Sequence, residues 1–288
     1  MIKRAAIAAV IAAANVGMLG IASSAAAVAT TTATASATAA ATVPPTGAAA
    51  AIESDARAAI AQAWQHYQQD VQTEQELVEV QIVQAGQPQQ DKLLWRRIQF
   101  GAQGQKVSIK FVGPAADAGL GLLVERDASA GDQIWLRLPS WSSGRKILGN
   151  RETKYFAETA VTFEDSKQLI GEQTAQFDYR YQGAVIVATP KPGVVSGYAR
   201  REISLNGQGV PSRIVYFDGD GQQIKTLSFE DISFPAPGRW RANRIVIRHQ
   251  QQNSQTVLKI RKRQFNLAMS DILFTLAYMA EAEHAKLD

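Results

Sequence analysis

The chain has 288 residues, 30 basic against 26 acidic, a formal net charge of +4 and no cysteine. After residue 51 the balance is 28 to 26, too even to argue for nucleic acid. The missing cysteine excludes disulfides, thiolate metal sites, a cysteine nucleophile and lipid attachment to the chain itself.

In chain order, the first predicted element is a secretory signal over residues 1–27. Lys3 and Arg4 form its positive start, Ala5 to Ile21 its apolar stretch, and Ser23 to Ala27 the small residues before a cut. The cut falls near Ala27 or a few residues later. The rival reading is a membrane anchor, but an apolar run of roughly 17 residues, much of it alanine, is short for a span. Residues 28–51 are rich in Ala, Thr and Ser, carry no charge and lack an apolar period. They read as a disordered linker. Export places the protein in the periplasm. Residues 52–288 are long enough for a single domain with one large core.

Ser54 is positioned to cap a helix running to about Gln69. Ala56, Ala59, Ile60, Ala63, Trp64 and Tyr67 recur on one face. That face either packs on a core or forms a lid over a cavity.

Period-two segments follow: 76–84, 93–100, 106–112, 120–126 and 133–138, separated by Gly86-Gln87-Pro88, Gly101 to Gly104, Gly113-Pro114 and Gly131-Asp132. Connections this short make antiparallel hairpins. Residues 150–170 break the pattern and read as a loop with short helical turns. Strands resume at 176–182, 184–189, 199–206, 213–217, 223–234, 240–248 and 256–265. Asp218-Gly-Asp-Gly221 marks a hairpin. Ser270-Asp271 opens a short terminal helix to about Glu283.

The expected fold class is mainly β with helices (α+β), of about 11–12 strands. A sheet of that size curls, giving an incomplete antiparallel barrel that a helix can cover.

No arrangement of residues announces chemistry. His66, His249 and His284 are far apart in the chain and lack metal-ligand spacing. There is no G-x-S-x-G and no phosphate-binding glycine loop. Glu230-Asp231 sits in a strand, where neighbours face opposite sides. Acids meeting through space leave a glycosidase-type site open. The reading is therefore no enzyme, no catalytic residue, no metal and no cofactor. The basic runs 96–97, 200–201, 239–248 and 259–263 read as the wet face of the sheet, or as a cationic surface for anionic lipid or an acidic partner. Trp95, Trp135, Trp141 and Trp240 read as core or rim.

Several segments in this order resemble the periplasmic outer-membrane lipoprotein-sorting (LolA-like) family. They are Phe111-Val-Gly-Pro-Ala-Ala-Asp117 with Gly119 to Leu123, Asp132-Gln-Ile-Trp-Leu-Arg-Leu-Pro139 leading to Gly144-Arg-Lys-Ile147, Ala188-Thr-Pro-Lys-Pro-Gly193, Arg213 to Gly221 running into Lys225-Thr-Leu227, and the ending Leu273-Phe-Thr275. The likeness spans roughly residues 55–280. It implies a half-barrel closed by an N-terminal lid helix and short helices, an apolar interior that accepts acyl chains, and no catalytic residues. It also implies a monomeric carrier of lipid or lipoprotein acyl chains toward the outer membrane, served by an inner-membrane transporter and an outer-membrane acceptor. The alternative is a sensor or scaffold of the same fold that binds an inner-membrane partner. Ala160-Val-Thr-Phe-Glu-Asp165 keeps only part of the family's G-S-D-F-T-Y-E-D stretch, which leaves the cargo open. The inward positions expected to line the cavity are Val107, Ile109, Phe111, Leu122, Val124, Ile134, Leu136 and Leu138, with Trp64 and Tyr67 from the helix. Reversing the face would bring Trp135 inward.

Overall fold

The computed structural model describes residues 46–102, 104–127 and 131–283. The expected signal, the linker up to residue 45 and His284 lie outside them. The described residues fall in one compact unit, and no described helix is long and apolar enough to cross a membrane.

The first half of the chain forms β1 (Thr73–Gln84), β2 (Gln87–Pro88), β3 (Lys92–Gly101), β4 (Gly104–Gly113), β5 (Gly121–Asp127), β6 (Gly131–Arg137) and β7 (Arg145–Ile147). The second half forms β8 (Phe177–Gln182), β9 (Val185–Pro190), β10 (Arg200–Leu205), β11 (Pro211–Phe217), β12 (Gln223–Ala236), β13 (Arg239–His249) and β14 (Ser254–Phe265). All 14 belong to one antiparallel sheet. Each half is a meander of hairpins. The halves join where β1 pairs with β14, leaving β7 and β8 as free edges. The Asp218 turn is built as a hairpin: the Asp218 carboxylate accepts from the backbone N–H of Asp220 and Gln222, and Gly221 supplies a φ of +76°.

The pattern of alternation becomes a register. Ile98, Val107, Val124, Ile134 and Ile147 pair in turn across β3 to β7, and all five are buried on one face. The next rung runs Glu76, Arg96, Ile109, Leu122, Leu136.

Three helices accompany the sheet. Helix α1 spans Thr46–Gln68. It begins eight residues before Ser54, so the end of the expected linker is helical and Ser54 is not its cap. Alanine has the highest helix propensity, and Ala48 to Ala51 extend the helix backwards. Helix α1 packs on both β8 and β13. These lie five strands apart, about 24 Å on a flat sheet, whereas a helix is about 10–12 Å across. The sheet therefore curls around it. Helix α2 (Phe163–Gln168) lies inside the predicted loop. The predicted terminal helix is two pieces, a 3-10 turn at Asp271–Phe274 and α3 (Leu276–Ala280). Ser270 caps the first as expected. Thr275, in extended conformation, ends it and caps the second.

The two strands beyond the twelve anticipated are β2 and β7. One is a two-residue edge containing Pro88, the other three residues long. Neither is long enough to show a period.

Candidate functional site

The inner face of the curled sheet carries two buried apolar clusters. One, in the second half, is filled by α1: Ile60, Trp64 and Tyr67 pack with Phe177, Tyr179, Phe229 and Trp240. Trp240 meets the rings of Trp64, Tyr67 and Phe229 at centroid distances of 5.3, 5.1 and 5.7 Å, and its indole N–H donates to the Ala63 carbonyl at 2.7 Å. The other cluster, in the first half, has no helix of that length over it among the described residues. Residues 155–170 cover it, through Phe156, Phe163 and Ile170.

Beneath that cap lies an apolar cavity of about 70 Å³. Val78 and Val80 of β1, Leu94 of β3, Ile109 and Phe111 of β4, Ile245 of β13, and Leu258 and Ile260 of β14 form its floor. Phe156, Val161, Leu169 and Ile170 form its roof. Glu76 and Arg96 supply its polar end.

The cap is fixed by buried polar contacts. Thr162 and Asp165 make a reciprocal capping box at the start of α2. Asp165 also accepts from the Tyr198 hydroxyl at 2.9 Å and pairs with the fully buried Lys225. Burial lowers the Lys225 pKa below its usual range, against the pull of Asp165. Glu164 accepts from Ser196 Oγ and from the Gly197 N–H at 2.6 and 2.8 Å. Burial nonetheless raises its pKa, with these bonds opposing. Arg126 donates to the carbonyls of Lys167 and Gly171.

At the polar end, Glu76 takes hydrogen bonds from Arg96 and Arg263, each at 2.7 Å. Glu74 takes two from Arg241. Burial pushes the Glu76 carboxyl up, but the two guanidiniums win and hold it at about 2. Arg96 faces the cavity already neutralised. Among the described residues no cluster of three or more His, Asp or Glu could hold a metal ion.

The expected lining residues divide. Val107, Phe111, Leu122, Val124 and Ile134 share the first-half cluster, with Ile109, Leu136 and Leu138 packed at its margin. Of these, Ile109 and Phe111 line the cavity itself. Trp64 and Tyr67 pack in the other cluster, and Tyr67 reaches the cavity's polar end, its hydroxyl accepting a 3.5 Å hydrogen bond from Arg96. Trp135 pairs with Lys146 on the outer face. The lining from β1, β13 and β14 is missing from the expected set. Its alternation was visible, but only the pairing of the chain's two halves brings it to the cavity. The roof residues had no periodic signal at all. The basic runs also divide. Arg97, Arg201 and Arg241 are buried, each paired to an acid (Glu283, Glu172 and Glu74), and do not form a wet face.

A family model described as an uncharacterized protein matches residues 103–281. No curated protein matches the sequence. Three solved structures share the fold. A DUF1329 family protein from Desulfovibrio piger is 22% identical with a TM-score of 0.69, covering 78% of this chain and 98% of its own. A putative outer membrane lipoprotein-sorting protein domain from Vibrio parahaemolyticus is 18% identical with a TM-score of 0.67, covering 79% and 97%. A LolA superfamily protein from Nitrosomonas europaea is 16% identical with a TM-score of 0.57, covering 77% and 98%.

Proposed function

We propose a carrier's role on the premise that this chain belongs to the family matched over residues 103–281, with a fold it shares with outer-membrane lipoprotein-sorting and LolA superfamily proteins. In this reading it is exported, and it binds the acyl chains of lipids or lipoproteins in the apolar cavity and moves them toward the outer membrane. Donor and acceptor are an inner-membrane transporter and an outer-membrane site, and the carrier works as a monomer.

The observation that carries the reading is the cavity under a separate cap. Burying one methylene is worth about 0.8 kcal/mol, so ten give about 8 kcal/mol, near micromolar affinity before ordering costs. A free volume of about 70 Å³ is several times what one water needs, ~10–15 Å³, but too little for a long chain. Loading therefore requires the 155–170 cap to move off the sheet. A cavity that closes when empty suits a carrier, which must also release its load.

The test is uptake of a fluorescent fatty acid by delipidated protein. Saturable binding is expected, and Val80→Trp, which fills the cavity, should abolish it. Absence of saturable uptake by the unmodified protein would overturn the reading. The second reading, a scaffold for an inner-membrane partner, is favoured by Arg180, Arg213 and Arg248, which are exposed and without an acidic partner among the described residues. Capture of one membrane protein with no lipid co-purifying would support it.

A further inference from the structure

Residues 141–154 follow β6, include the edge strand β7, and end where the cavity's cap begins. Their side chains present an unusual set. Arg145, Lys146, Arg151 and Lys154 are all exposed, and none meets a carboxylate among the described residues. The one acid in the stretch, Glu152, is taken by Lys167 at 2.7 Å. Between the two pairs of cations stands Leu148, 61% exposed, the most exposed large apolar residue described. Arg145 lies over the ring of Trp141 at 4.3 Å, and Lys146 is 5.6 Å from the ring of Trp135.

Each feature alone is ordinary. A single exposed leucine is common. Four exposed cations without a carboxylate partner, two on either side of a projecting leucine in the chain, are a different matter: Arg145 and Lys146 flank the edge strand from opposite faces, each beside a tryptophan, and Lys146 also donates to Gln133 Oε1 at 2.8 Å. Cations are drawn to anionic headgroups, tryptophan favours the headgroup layer, and leucine enters the acyl boundary below. An acidic peptide would want a groove for its apolar side chains; here the leucine projects.

We propose that the 141–154 rim docks on a bilayer surface containing anionic lipid. The proposal goes beyond the carrier reading and does not depend on it. It places the chain's membrane contact at the free edge of the half-barrel. The 3-10 turn Gly149–Thr153 belongs to the rim, and Phe156 of the cavity roof lies three residues further on. Docking would thus act directly on the segment that must move for loading.

The experiment is flotation of the purified protein with phosphatidylcholine vesicles made with and without phosphatidylglycerol. Binding is expected to the anionic vesicles and to fall with added salt. Each rim cation is expected to contribute about fivefold. Arg151→Ala with Lys154→Ala should therefore lower partitioning about 25-fold, and Leu148→Asp about tenfold. These positions are exposed, so urea unfolding of the variants should match the parent. Fatty-acid uptake in solution should also be unchanged, which keeps a failure here distinct from failure of the carrier reading. Equal binding to neutral vesicles, no binding to either, or loss on Arg213→Glu with Arg248→Glu but not on the rim variants would each overturn the proposal.

Discussion

Asp165 accepts hydrogen bonds from three directions: the Thr162 N–H at 2.7 Å, the Tyr198 hydroxyl and the Lys225 ammonium. The ammonium is wholly buried, 4.8 Å from the ring centroids of both Tyr198 and Tyr216. Removing one partner of such a pair strands the other charge, at a cost of about 3–5 kcal/mol. Asp165→Ala should therefore lose about that much stability in urea, and adding Lys225→Met should restore part of it. The pH dependence has a definite sign. Burial lowers the Lys225 pKa below the ordinary 10.5, so approaching 10.5 the native state sheds a proton that the unfolded chain keeps. Stability from this group then rises with pH, and the Asp165→Ala deficit should shrink as pH approaches 10.5. None of this could be read from the chain. Asp165 lies in the irregular 150–170 stretch, but its partner is 60 residues away, on a strand whose inward face no local pattern marks.

At the scale of elements, strands and hairpins were legible because alternation and turn chemistry are local signals. The fate of the C-terminal segment was not, because it depends on an outer-face surface built by other strands. There Gly121 leaves room for Met279: a Cβ on Gly121 would sit 2.4 Å from the Met279 sulfur, and Met279 is fully buried. Lys110, on the face of β4 opposite Ile109 and Phe111, is buried by this segment, and its ammonium donates to the Tyr278 carbonyl at 2.9 Å. Gly121→Ala should loosen this strap at about 1–3 kcal/mol, seen as faster hydrogen exchange at residues 276–281 while β1 and β14 stay protected. Acid should loosen it as well. Burial tends to raise the Glu283 pKa, but hydrogen bonds from Arg97 and Tyr278 bring it below the ordinary 4.5. A depressed carboxyl contributes stability that is present above the unfolded value and lost as pH falls through the folded one. Exchange at the strap should therefore rise below pH 4.5, and Glu283→Gln should flatten that rise.

Across the whole molecule, the two meanders differ in what fills their inner faces. Helix α1, at the start of the described chain, crosses to the second half and fills it with aromatic rings. The cavity lies at the seam of the two halves, floored by β1, β3 and β4 from the first and by β13 and β14 from the second, and among the described residues it is roofed by the short 155–170 cap. The sequence suggested a helix face of Trp64 and Tyr67 and a half-barrel to receive it, but it could not say which half. That choice depends on curvature and on the β1–β14 seam, neither of which has a local signature. The division separates stability from binding. Trp64→Ala removes a ring packed against Tyr67, Phe229 and Trp240, and aromatic truncation in a core costs about 3–5 kcal/mol. Trp64 is not among the residues that line the cavity, so fatty-acid affinity should stay within about twofold at temperatures where the protein remains folded. Val80→Trp should do the reverse, abolishing uptake for an overpacking cost of about 1–3 kcal/mol. If Trp64→Ala instead destroyed binding in a protein still folded by near-ultraviolet circular dichroism, α1 would be the cavity's lid after all. The cap at 155–170 would then be a fixed wall, held by the Asp165–Lys225 pair, and the moving part would lie on the opposite side of the sheet's curl.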